Sequence, residues 1–249
     1  MSDDGCSVWW VDTSNLGWCS TALLSDTEVA RAATIGRAED HNRFMVGATL
    51  LRLVVGRATG TEPDQVQIDR SCPRCGEPHG KPTLTGPAEG LHASTTHSGS
   101  IVGVALSRLA PVGLDVEVMT SLDYKRLLPS VYADGEPMPG SRCSFFVHWT
   151  RKESVLKASG DGLTRPMSDI VLTEQGGAAV VTNSFGHLIA ASLIDFRPAA
   201  GYVGALTVLS RPPVPVTETH VTSTFADWFS ERLPYVGQAA LGRSKILPR

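Results

Sequence analysis

Two carboxylates two residues apart, Asp115 and Glu117, stand in Gly113-Leu-Asp-Val-Glu117. On a β-strand they project from one face while Leu114 and Val116 face the other. Adjacent acids repel and are costly to bury without a cation, so the pair alone reads as the solvated face of a strand. A second group lies 32 residues on, in Trp149-Thr-Arg-Lys-Glu-Ser-Val-Leu-Lys157. Helical geometry puts Trp149, Glu153 and Lys157 at four-residue intervals on one face. Alone, Glu153 and Lys157 make an ordinary surface pair worth about 0.3–0.5 kcal/mol. Taken together, three carboxylates with a lysine nearby form an all-oxygen site for Mg²⁺ bridging a phosphorylated ligand, because a hard cation prefers oxygen and keeps positions open for phosphate.

Other residues read less sharply. Lys81, in His79-Gly-Lys-Pro82, is one of five lysines among 22 basic residues, and by itself fits a solvated turn as well as a phosphate contact. His97 equally suits a turn or cap. Cys72-Pro-Arg-Cys75-Gly is half of a zinc knuckle with no second Cys-x-x-Cys, His79 and His92 being the nearest supplements. The simpler expectation is that these thiols pack in a tight loop that presents Lys81. A thioredoxin-type role lacks the following strand-to-helix context.

The elements that must position these residues follow from periodicity. Residues 7–12 read as a strand, and Ser25-Asp-Thr-Glu28 as a capping box opening a helix that turns Val29, Ala33 and Ile35 inward. Phe44, Ala48, Leu51 and Val55 recur at helical spacing from residue 39, with Gly56 as the stop and Arg43 and Arg52 carried along. Residues 66–68 form a short strand, and residues 71–89 a loop. Residues 101–106 and 112–118 read as a hairpin-like strand pair. A helix is expected over 121–128 and a strong one over 142–158, ended by Gly160. Alternation near 170–172, 178–181, 187–193 and 202–208 predicts closing antiparallel strands. Arg211-Pro-Pro-Val-Pro215 marks the end of the main body, with a small docking helix over 225–233. The result is an α+β fold of two similar halves with antiparallel sheets and a long helix in each, divided as 1–110, 111–212 and an extension 213–249.

The whole-chain numbers exclude several classes. The 249 residues carry 22 basic against 25 acidic side chains, a net charge of −3, with 42% hydrophobic and 19% charged residues. This balance excludes broad disorder and argues against holding nucleic acid or a membrane by bulk charge. No run approaches about eighteen apolar residues, and the acidic start lacks a secretory pattern, so a cytoplasmic location is expected. Five cysteines, an odd number in a chain too large to need disulfides, fit a reduced compartment.

Gly113-Leu-Asp-Val-Glu117 followed by Trp149-Thr-Arg-Lys-Glu-Ser-Val-Leu-Lys157 resembles the paired signature of the 4′-phosphopantetheinyl transferases. Gly80-Lys-Pro82, Thr96-His-Ser-Gly99, Arg43 and Gly162-Leu-Thr-Arg-Pro-Met167 are similar to the family's other landmarks, and length and duplication match its monomeric, pseudo-twofold, Sfp-like class. The resemblance implies transfer of the phosphopantetheine arm of coenzyme A to a serine of an acyl or peptidyl carrier protein of fatty-acid, polyketide or nonribosomal peptide synthesis. Adenosine 3′,5′-bisphosphate is released. It further implies Mg²⁺ held by Asp115, Glu117 and Glu153, with Glu153 as general base and Lys157 on the phosphates. Arg37, Arg43, Lys81, Thr96 and His97 would hold the coenzyme. Acidic carriers imply an apolar docking patch flanked by Arg126, Arg142 and Arg151, each also readable as a solvated arginine. Two other readings remain: a coenzyme- or carrier-binding protein without turnover, and a Mg²⁺-dependent phosphohydrolase.

Overall fold

Alternating apolar residues make Cys6–Asp12 a strand, β1, whose Val8 and Trp10 are buried to within 1%. The computed structural model describes residues 5–15, 21–162, 165–175, 178–183 and 187–221. After β1 come α1 (Asp26–Ala33), α2 (Ala38–Thr59), β2 (Gln67–Asp69), β3 (Thr83–Thr85), β4 (His92–Ser98), β5 (Ile101–Ser107) and β6 (Val112–Val118). Then follow α3 (Leu128–Val131), α4 (Arg142–Ser159), β7 (Ile170–Gln175), β8 (Ala178–Asn183), β9 (Leu188–Ile189), β10 (Ser192–Phe196), β11 (Tyr202–Val208) and β12 (Val216–Val221). The fold is α+β, and no helix among the described residues is long and apolar enough to cross a membrane.

Three sheets result. The six-stranded sheet runs β12-β1-β5-β4-β3-β2, all antiparallel except the β12–β1 edge; β10-β11-β6 and β7-β8-β9 are antiparallel three-stranded sheets. One core lies between α2 and the large sheet, where Leu50, Leu51 and Val54 join Val102, Val104 and Leu106. A second fills the space between the large sheet and the β10-β11-β6 sheet with Trp10, Ile101, Leu114, Val116 and Leu206. A third gathers Phe145 and Leu156 of α4 with Ile170 and Val203.

Several expectations are corrected. β5 and β6 do not form a hairpin: β5 pairs with β1 and β4, and β6 with β11, so the chain changes sheet at residues 108–111. β5 is buried along its whole length, which suits a central strand better than a hairpin arm. The capping box of α1 forms, Ser25 and Glu28 bonding each other's backbone. The buried face, however, is Glu28 and Ala32, not Val29 and Ala33, because Glu28 turns inward to meet Arg52 at 2.6 Å. α2 runs past Gly56 and ends at Gly60, which takes the left-handed conformation at φ 72°. The helix expected at 121–128 is a 3-10 turn at Tyr124–Leu127 running into the single turn α3, since the Pro129 ring removes a backbone donor. β3 and β4 arise where no strand was expected, their hydroxyl-rich alternation hiding them. The body does not end at Pro215, for β12 returns to lie parallel to β1. Residues 225–233 lie outside the described residues.

Candidate active site

β4 and β6 belong to different sheets, and the seam between them is closed by side chains. The hydroxyls of Ser94, Thr96 and Ser98, every second residue of β4, accept the backbone N–H groups of Leu114, Val116 and Val118 at 2.9, 3.2 and 3.1 Å. Their O–H protons remain free to donate. Thr96 Oγ1 donates to Asp115 Oδ1 at 3.2 Å and Ser98 Oγ to Glu117 at 2.8 Å, so the same hydroxyls fix strand and carboxylates. On the other side α4 lies against β6 because residue 113 is glycine. A Cβ there would sit 2.0 Å from the Ser154 carbonyl oxygen and 2.4 Å from the Ala158 nitrogen.

This close approach brings α4 over the acids. Lys157 Nζ donates to Asp115 Oδ1 at 2.6 Å, to the Leu114 carbonyl at 3.2 Å and to Thr96 Oγ1 at 3.3 Å. Asp115 and Glu153 are buried, at 4% and 8% exposure, while the Lys157 side chain keeps 29% and can meet a ligand. Burial raises the pKa of Asp115 against the Lys157 ion pair. Burial and then the Asp115 charge push Glu117 up to about 7. Glu153 is likewise pushed up to about 7, by burial and by Asp115, with Lys157 opposing. Burial disfavours the Lys157 ammonium, but the three acids outweigh it and hold the pKa raised.

The residues fit a divalent cation on a structural ground: Asp115 Oδ2 is buried with no hydrogen-bond partner, a vacant oxygen ligand beside two further acids that one ammonium does not neutralise. Asp115 couples electrostatically to both Glu117 and Glu153. Among the described residues, the group of three potential ligands whose donor atoms all lie within 4.8 Å is Cys72, Cys75 and His79.

Next to the acids runs a groove rich in cations. One cleft of about 280 Å³ is lined by Arg31, Arg43, Arg70, His79, Thr96 and His97. An adjoining one of about 590 Å³ is lined by Arg70, His79, Lys81, Ser94, Lys157 and Gly160, among others. Arg43 donates to the Gly99 carbonyl at 2.6 Å and pairs with Asp40, its Nε left without a partner. Burial, then the Arg43 and Lys157 charges, lower the pKa of His97. Lys81 Nζ reaches the Ala158 carbonyl in the last turn of α4 at 2.7 Å, where an ammonium suits the helix's negative end; burial lowers its pKa to about 8.

Thus the structure brings Asp115, Glu117, Glu153, Lys157 and Thr96 together, and places Arg43, His97 and Lys81 along the adjoining groove. The Thr96 hydroxyl is committed to the acid site. Arg37 is exposed at the N-cap of α2 and lines neither cleft. Arg126 is 86% exposed beside Asp123, Arg142 is exposed, and Arg151 forms a two-pronged pair with Asp195 at 2.9 and 2.6 Å. Cys72 and Cys75 lie in the expected tight loop before Lys81, closed by Gly76 N–H on the Cys72 carbonyl at 2.8 Å, with Cys75 exposed and Cys72 half-buried.

Two features escaped the sequence reading. Arg70 lines both clefts with its buried Nε unpartnered, and only its place directly after β2 could have marked it. The hydroxyls of Ser94 and Ser98 carried a visible signal, the Ser-x-Thr-x-Ser alternation, whose meaning depends on the neighbouring strand.

Comparison with known proteins adds four findings. The model of the 4′-phosphopantetheinyl transferase superfamily matches residues 111–207. The chain is 32% identical over 198 residues to the 4′-phosphopantetheinyl transferase HetI of Nostoc sp., covering 75% of this chain and 79% of that one. It is 30% identical to a 4′-phosphopantetheinyl transferase of Bacillus subtilis over 60% of this chain and 66% of that one. The likeness to the solved Thermotoga maritima holo-[acyl-carrier-protein] synthase is slight, with a TM-score of 0.35 and 22% identity over 41% of this chain and 64% of that one.

Proposed function

The chain belongs to the 4′-phosphopantetheinyl transferase superfamily and is an enzyme of that class, and from this premise we propose that its substrates are coenzyme A and the serine hydroxyl of an acyl or peptidyl carrier protein, with Mg²⁺ as the cation and adenosine 3′,5′-bisphosphate as the leaving product. The observation that carries the reading is the unpartnered Asp115 Oδ2 beside Glu117 and Glu153 at the end of a cationic groove. Asp115, Glu117 and Glu153 would hold the cation, which when bound neutralises the pyrophosphate and draws electrons from the reacting phosphorus.

The chain's own groups do the rest. Lys157, partly exposed and bonded to Asp115, offers its ammonium to the phosphates as a point charge. Arg43 and His97, with Arg70 lining the same cleft, grip the 3′-phosphate; a guanidinium matches a phosphate bidentately. Lys81 and Thr96 complete the coenzyme wall, Thr96 also holding Asp115 in place. Glu153 accepts the carrier serine proton as the oxygen attacks phosphorus and the bond to the bisphosphate breaks, and a carboxyl near pH 7 suits that exchange.

At the scale of the fold, residues 1–110 and 111–212 are read as two halves related by a pseudo-twofold, α2 and α4 being the corresponding long helices. The enzyme acts as a monomer, a reading supported by the acids and the groove all coming from one chain. The test is product release. Adenosine 3′,5′-bisphosphate formed from coenzyme A and Mg²⁺ only when an apo carrier is present supports transfer. Release without a carrier would establish the phosphohydrolase, and coenzyme binding without release the binding protein.

A further inference from the structure

The β2–β3 loop carries a second cluster of chemically competent side chains, unrelated to the acids. Cys75 Sγ lies 3.0 Å from His79 Nε2, and these two atoms and Cys72 Sγ all lie within 4.8 Å of one another. We propose that Cys72 Sγ, Cys75 Sγ and His79 Nε2 bind one Zn²⁺, with the fourth position open to solvent.

Four lines of geometry support the site. Tetrahedral zinc with Zn–S near 2.3 Å and Zn–N near 2.0 Å requires ligand atoms about 3.4–3.8 Å apart, so the three need only small rotamer shifts to close on an ion. The spacing Cys-x₂-Cys-x₃-His lets one loop supply all three. The backbone between the cysteines is already folded as a knuckle: the Gly76 N–H bonds the Cys72 carbonyl at 2.8 Å, with Gly76 at φ 76° in the left-handed region. The loop is also shut at its base, where Gly80 N–H bonds the Arg70 carbonyl at 2.6 Å and Cys72 N–H the Glu77 carbonyl at 2.9 Å, so little chain entropy opposes closing the ligands. Two sulfurs and an imidazole select zinc over Mg²⁺, which demands oxygen. The exposure of Cys75 and His79 is what an ion arriving from solvent needs.

The consequence is mechanical. Cys72 and His79 line the clefts beside Lys81 and Arg70, so a bound ion would pin the wall on which both cations stand.

Metal analysis tests this without reference to turnover. The full chain, reduced and purified without chelator, is exposed to Zn²⁺ and freed of excess. About one zinc per chain is expected to remain. Cys72→Ser and Cys75→Ser should each lower retention at least about tenfold, and Cys143→Ser should not. On the unaltered chain, Zn²⁺ should slow alkylation of Cys72 and Cys75 but not of Cys143. Zinc retention equal in the unaltered chain and the double Cys72→Ser, Cys75→Ser variant would overturn the proposal, as would alkylation of both thiols at the same rate with and without zinc.

Discussion

Lys157 bonds Asp115 at 2.6 Å, while Glu117 and Glu153, withdrawn from water, both feel the charge of Asp115. Burial first and the Asp115 charge second push both glutamates up to about 7, against about 4.3 for an ordinary glutamate. The sign follows from linkage: the folded chain holds these protons more tightly than the unfolded one. Their contribution to stability is full below the unfolded value near 4.3 and is lost as pH rises through about 7. A cation displaces the protons, so Mg²⁺ should raise the melting temperature more at about pH 8 than at about pH 5. Melts showing equal shifts at both would remove the cation from this site. Glu153→Gln should keep the fold and lower turnover by about 10²–10⁴-fold; unchanged turnover rejects it as the base. That Asp115, Glu117, Glu153 and Lys157 meet was legible because acid and lysine spacings survive in one dimension. The partners of Thr96 and Ser98 were not, since a hydroxyl's worth depends on which strand lies beside it.

Among elements, α4 is placed by what residue 113 lacks. Gly113→Ala must push α4 off β6, moving Glu153 and Lys157 together, and should cost about 1–3 kcal/mol with a larger loss of turnover. Gly140→Ala, whose Cβ meets nothing within 4 Å, is the control. Denaturant unfolding measures the cost, and equal values for the two variants would contradict the role given to Gly113. α1 is tied to α2 through Glu28 and Arg52, whose side chains are 6% and 3% exposed. Arg52 also donates to the Pro63 and Val66 carbonyls at 3.1 and 3.0 Å. Glu28→Ala leaves that guanidinium buried without its carboxylate, and about 3–5 kcal/mol of stability should go. A loss below about 1 kcal/mol would mean that the carbonyls suffice. The capping box and the long helices were readable from local spacing, and α4 ends at the expected Gly160. The inward turn of Glu28 was not, because nothing near it in sequence announces Arg52, 24 residues on.

For the whole molecule, the near-neutral total of −3 conceals a separation of charge. Acids gather where β6 meets α4, and cations line the groove along β4, as a ligand carrying both phosphates and a metal would require. The sequence showed antiparallel strands and two long helices, but not that β5 and β6 part into different sheets, nor that β12 returns to β1. Those are pairings between distant segments, which periodicity cannot encode. The measurement that bears most directly on the central claim is the intact mass of apo carrier proteins of several kinds, incubated with the enzyme, coenzyme A and Mg²⁺. The account predicts a gain of one phosphopantetheine on the carrier serine, lost when that serine is replaced by alanine and when Mg²⁺ is chelated. Carriers that all keep their apo mass in the presence of folded enzyme would contradict it.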